Sequence, residues 1–228
     1  MKKIKILLLL SISSLILFSC NSINSAGKDK FSVDLRNSSH ITISEVEIQF
    51  NRAFPIPGLR LDNVTVSYFP DEDTVCFHYR ADFISYYQFW NRNGRDSYIR
   101  SLEKYNDDYD KRNLERSGRR TKQKYEHSIG YLIWQSSALS DFSSVYNANF
   151  NLHFGYFFVD RAPYFTATQR ETIFIDPNFK NDRKTTQERT LYFTRAQAAE
   201  LAAIFDQEFL EGLAANRVRS GGVNFDVY

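Results

Sequence analysis

Four histidines, two cysteines and two short acidic clusters are the residues of this 228-residue chain whose types could support chemistry. His40, His78, His127 and His153 are scattered, and none has a second His or Cys at the spacing of a zinc site. No glycine-rich phosphate loop and no Gly-x-Ser-x-Gly elbow occurs. Asp71-Glu72-Asp73 reads as a turn. Asp107, Asp108 and Asp110 lack the central glycine and the bidentate glutamate that a calcium loop requires. The motifs therefore assign no catalytic residue, no metal and no cofactor, and a non-enzymatic protein is expected. Convergence in space is the remaining route to a site. His78 and Arg80 lie on the polar face of one alternating segment and His153 on that of another, so the three form a ligand-binding candidate if those segments adjoin. A second candidate is basic. Residues 111–124 hold seven cations against one acid, Glu115, and Arg116, Arg119, Arg120, Lys122 and Lys124 offer a patch for an anionic partner. No aromatic is interleaved there, which argues against stacking on nucleic-acid bases.

The two cysteines belong to different contexts. Cys76 sits inside Thr74-Val75-Cys76-Phe77-His78 and reads as a small buried hydrophobe. Cys20 follows three early lysines, Lys2, Lys3 and Lys5, and a 13-residue apolar run from Ile6 to Phe18 that includes three serines. A basic start and a short apolar core mark an export signal, and the run is shorter than the ~20 residues that span a bilayer. Leu17-Phe18-Ser19-Cys20 resembles the lipobox of bacterial lipoproteins. The resemblance covers those four residues and the signal before them. It implies cleavage before Cys20, a diacylglyceryl thioether on its sulfur and usually a third, amide-linked chain. Each buried methylene contributes about 0.8 kcal/mol and one chain binds marginally, so two or three would anchor the protein stably. Asn21 rather than Asp follows, and the resemblance then leans toward the outer membrane or cell surface.

Loss of residues 1–19 takes the formal charge from +2 to −1, because that segment carries three lysines and no acid. The remaining balance gives no reason to expect a nucleic-acid partner. The chain then reads as a signal at 1–19, an acylated cysteine with a polar tether at 20–40, and one globular domain at 41–228. Twenty Phe and fourteen Tyr make it rich in strand formers. Residues 41–50 alternate with a bulge expected near Ser44. Residues 64–69 and 74–80 flank a turn at Pro70-Asp71-Glu72-Asp73, and 129–135, 146–158, 164–175 and 187–193 read as further strands. Ser85 and Gln88 fit a capping box opening a helix over about 85–113, with a stripe from Phe83 through Trp90, Gly94 and Tyr98 to Tyr109. Thr194 and Gln197 fit a second box, for a helix over about 195–215.

These elements predict an α+β domain: an antiparallel twisted sheet of about 6–8 strands with the two helices packed on one face. The function expected is a lipid-anchored envelope protein presenting a binding or structural domain to an envelope protein, an anionic glycan or a lipid. A carrier holding an apolar ligand between sheet and helix, or a hydrolase without a recognisable motif, are the alternatives.

Overall fold

The structure is a computed structural model and describes residues 35, 38–52, 58–116, 122–136, 145–175 and 183–219. All lie in the compact unit Val33–Tyr228. The leader, Cys20 and most of the tether expected to follow it lie outside the described residues, as do Arg119 and Arg120.

Ten strands and three helices follow in chain order: β1 (Ile41–Arg52), β2 (Gly58–Phe69), β3 (Thr74–Ala81), β4 (Ile84–Trp90), α1 (Arg92–Asp110), β5 (Lys122–Ser136), β6 (Val145–Val159), β7 (Ala162–Gln169), β8 (Thr172–Ile175), β9 (Arg183–Thr186), β10 (Arg189–Phe193), α2 (Arg195–Ile204) and α3 (Gln207–Arg219). Eight of the strands close into an antiparallel barrel in the order β1-β10-β7-β6-β5-β4-β3-β2, while β8 and β9 form a separate two-stranded sheet. The expected open sheet is thus corrected to a barrel. Closure rests on β10, which pairs with β7 on one side and with β1 on the other through Gln49↔Tyr192 and Phe50↔Leu191. That arrangement leaves no free edge among the eight strands.

Local patterns decide the elements. The bulge in β1 falls between Thr42 and Ser44, where the register with β2 shifts. Pro70–Glu72 form a 3-10 turn that ends on Asp73 in the left-handed region, making the β2–β3 hairpin. On β6, Phe150, Leu152, Phe154 and Tyr156 are buried while Asn147, Asn149 and Asn151 are exposed, the alternation of a strand with one wet face.

The first helix starts later than its sequence pattern predicts. Residues 84–90 are strand β4, and the cap is Asn91, whose side chain accepts the Gly94 N–H at 3.0 Å. Tyr86, Gln88 and Trp90 alternate inward and pair with β3 in full register from Ala81↔Ile84 to Val75↔Trp90. Aromatic and β-branched residues with a ready hairpin partner outweigh one cap-like tetrapeptide. From Gly94 onward the stripe holds, with Tyr98, Leu102 and Tyr105 buried. The second helix is divided: α2 opens on the expected capping box of Thr194 and Gln197, then stops at Phe205. Asp206 accepts the Phe209 N–H at 2.9 Å and starts α3, which continues to Arg219, beyond the end expected near residue 215. Residues 164–175, expected as one strand, are resolved into β7 and β8, residues 187–193 hold the single strand β10, and β9 precedes it.

The helices lie outside the strand wall rather than on one face of an open sheet. Their apolar side chains join the inward-facing residues of the strands in one core. Tyr98 of α1 lies at its centre, with ring centroids 5.6 Å from Phe154, 5.1 Å from Phe165 and 5.0 Å from Phe205, all edge to face. These geometries suit aromatic quadrupoles and add about 0.5–1.5 kcal/mol per pair to the area they bury. The Tyr98 hydroxyl donates to the Ala198 carbonyl at 3.0 Å, tying α1 to α2. The region between helix and sheet where an apolar ligand would sit is thus occupied by aromatic rings.

Candidate functional site

The sequence candidates do not meet as a group. His78 and Arg80 are on β3 and His153 is on β6, with β4 and β5 between them. Following the register, His78 aligns with Tyr87, Tyr87 with Ile133, and Ile133 with Asn147, six residues from His153. Three strand spacings and six residues of offset separate the two histidines by well over ~10 Å, beyond the reach of catalytic partners. His78 instead stacks on Tyr87, with rings 4.3 Å apart and 5° from parallel, and burial lowers its pKa. Cys76 is buried, and its thiol is pushed well up by desolvation, so it behaves as an inert core residue.

The basic patch divides as well. Arg116 is exposed in the segment after α1, Lys122 opens β5, and Lys124 lies two residues further along the same strand. Lys124 and His153 are the two sequence candidates that the fold does bring together. Both border a recess on the outer wall of the barrel over β5, β6, β7 and β10.

The recess is built from two adjacent cross-strand rows. One runs Lys124–Gly155–Thr166–Tyr192 and the other His127–His153–Thr168–Thr190. Each row takes one residue from each of four strands. The alternation that points Phe154 and Tyr156 into the core points His153, Gly155 and Phe157 outward. Gly155 contributes no side chain, so the wall dips between the groups around it. Thr168 and Thr190 hydroxyls lie 3.0 Å apart across β7 and β10, and the His127 and His153 rings face each other at 6.0 Å. Arg170, just beyond β7, completes the border and donates through Nη1 to Glu188 at 2.5 Å.

The charge here is mainly positive. Burial lowers the His153 pKa first, and Lys124, Arg170 and His127 lower it further, while Glu188 acts in the opposite direction. Lys124 and Arg170 each penalise a further positive charge here, and that is a field which favours an anion. Arg170, His127 and the threonine pair carried no signal in the sequence. They sit 44 to 66 residues from Lys124 or at isolated positions, and only the register of four strands gathers them.

A second polar group lies inside the barrel and is structural. Gln88 donates to the Gln169 carbonyl oxygen at 2.7 Å and to the Tyr79 hydroxyl at 2.5 Å, and Gln169 donates to Thr186 at 3.0 Å. Arg189 and Asp82 pair at 2.6 Å close by. Arg95 of α1, 1% exposed, donates to the Asp73 carboxylate at 2.8 Å, to the Asp73 carbonyl at 2.7 Å and to Gln207 at 2.9 Å. These contacts connect strands, turn and helices. Among the described residues, no group of three His, Cys, Asp or Glu side chains is placed to hold a metal ion, and no helix is long and apolar enough to cross a membrane.

A family model described as "Uncharacterised Treponema protein" matches residues 32–212, most of the chain and nearly all of the barrel with its helices. No curated protein and no solved structure matches.

Proposed function

We propose, on the premise that the chain belongs to this uncharacterised Treponema family, that it is a bacterial lipoprotein anchored through Cys20 which presents its barrel as a non-enzymatic binding domain. The leader carries the first half of the reading: Lys2, Lys3 and Lys5, the short apolar run and Leu17-Phe18-Ser19-Cys20 together resemble a lipoprotein signal. Acylation of Cys20 would tie the domain to the outer membrane or cell surface, and residues 21–40 would serve as the tether.

The observation that supports binding is the recess over Gly155, in a barrel whose inward-facing rings, such as Trp90, Phe154 and Phe165, pack against Tyr98 of α1. With the inside occupied, a ligand has the outer wall to meet, and there the recess offers cations and hydroxyls from four strands. The same packing speaks against the carrier alternative, which needs a void between α1 and the sheet. The separation of His78 and Arg80 from His153 removes the constellation on which a motif-free hydrolase would rest.

Native mass spectrometry of the detergent-extracted protein from its own host tests the reading. A retained non-covalent partner or ligand, beside an acylated mature chain, is the expected result. An acylated chain that carries nothing under low-salt conditions would count against a presenting role.

A further inference from the structure

The hairpin tip Asp82-Phe83 has both residues in the left-handed region and exposes the Phe83 ring, yet the charge beside it, Asp82, is taken up by Arg189. The groove between β1 and α2 is bordered by Glu45, Glu47 and Glu200, an acidic rim without a bound group or an unsatisfied side chain aimed into it. The recess over Gly155 is different, because independent strands deliver complementary chemistry to one point.

We propose that this recess is an oxyanion site, in which the sulfate, phosphate or carboxylate group of a ligand sits among Lys124, His153 and Arg170 with the remaining O–H of the Thr168–Thr190 pair as a neutral donor, and that it binds more tightly as the pH falls. The proposal deepens the binding role above and rests on it. Lys124, the His153 imidazole and Arg170 come from β5, β6 and the end of β7, so their convergence is a product of the barrel's register and not of a charged run in sequence. An anion here gains charge-assisted hydrogen bonds from Lys and Arg, which are stronger than neutral ones. Arg170 has five N–H donors, of which Nη1 is directed at Glu188. The floor is the glycine position, where Gly155 is itself buried beneath the side chains around it.

The pH dependence follows from what faces His153. Lys124 and His127 face it from β5, Arg170 from the end of β7 and Glu188 from the segment before β10, while Glu126 lies beside His127. Without an anion, burial first and then Lys124 and Arg170 disfavour the charged form of His153. An anion among them reverses the sign of the local field, so proton and anion uptake assist each other.

The test uses sulfate and glucuronate, whose charges stay fixed over the range, titrated into the full-length mature protein in detergent. Backbone amide shifts at Gly155, Thr168 and Thr190 are followed at pH about 5.5 and about 7.5, either side of the ordinary imidazole value of ~6.5. Saturable shifts at these amides are expected with at least one anion, with affinity about fivefold or more higher at the lower pH. Preference for sulfate identifies a tetrahedral oxyanion, and preference for glucuronate a carboxylate on a sugar. Lys124→Gln and Arg170→Gln should weaken binding at both pH values with the remaining amide spectrum unchanged, and His153→Gln should flatten the pH dependence. Absence of saturable shifts with both anions overturns the proposal, as does equal affinity at the two pH values. A host partner still retained by the Lys124→Gln/Arg170→Gln variant would also overturn this site, yet would leave the binding role intact.

Discussion

At Gly130, a Cβ would come within 2.5 Å of Cε1 and Cζ of Phe150 and 3.1 Å from the Phe89 carbonyl. Gly130 and Phe150 are register partners on β5 and β6, and the Phe150 ring is buried against the glycine. Gly130→Ala is therefore expected to lower stability by about 1–3 kcal/mol, the usual cost of overpacking a core, measured as a shift in denaturant midpoint. The histidines give a prediction in pH. Both His78 and His153 have pKa values lowered in the folded state, chiefly by burial. The unfolded chain then binds more protons between the folded values and the ordinary ~6.5. Stability should be full above ~6.5 and should fall as the pH drops through that window, levelling off below the folded values. Thermal melts of the ligand-free protein would show this, and the double variant His78→Gln/His153→Gln should have a flatter profile. A melting point that rises on acidification would contradict the account.

Among the elements, α1 is held from its first turns by Arg95. Its guanidinium is buried, and Asp73 and Gln207 bring the β2–β3 hairpin and α3 to the same cation. Arg95→Met should cost about 3 kcal/mol or more, since it removes the partner of Asp73 and the tie to α3, and hydrogen exchange should show α3 opening before the barrel. At α2, Thr194→Ala removes a cap whose side chain accepts the Gln197 N–H at 3.3 Å, with an expected loss of about 1 kcal/mol. This second box was legible in sequence because capping is local, involving residues three apart. The same is true of the bulge near Ser44, of the turn at Pro70–Asp73 and of the alternation on β6. The start of α1 was not legible. Ser85–Gln88 has the residues of a cap, and what overrules it is the pairing of β4 with β3 and β5. Likewise, the division of α2 from α3 turns on Asp206 capping a new helix while Phe205 enters the core, and the pattern Ala198, Leu201, Phe205, Phe209 reads equally well as one continuous stripe.

For the whole molecule, closure of the barrel depends on β10 joining β1 across about 140 residues of sequence, and no local periodicity carries that information. The same long-range register makes the recess, which explains why the sequence pointed to Lys124 and His153 separately yet paired His153 with His78 and Arg80. The direction of the alternation also bears on how the barrel meets a membrane. Its inside is aromatic and its outer wall bears Glu45, Glu47, Asn147, Asn149 and Asn151 as exposed residues, the reverse of a lipid-facing barrel with a polar lumen. Attachment on this account runs through the acyl chains of Cys20 and not through the wall, and each added chain deepens it by many methylenes at about 0.8 kcal/mol apiece. The most direct measurement compares full-length protein with Cys20→Ala by detergent phase partition and intact mass of the recovered chains. The account predicts a wild-type chain that begins at Cys20, carries two or three acyl chains and enters the detergent phase, while Cys20→Ala stays in the aqueous phase. A Cys20→Ala protein that still partitions fully into detergent, or a wild-type chain without acyl mass on Cys20, would contradict it.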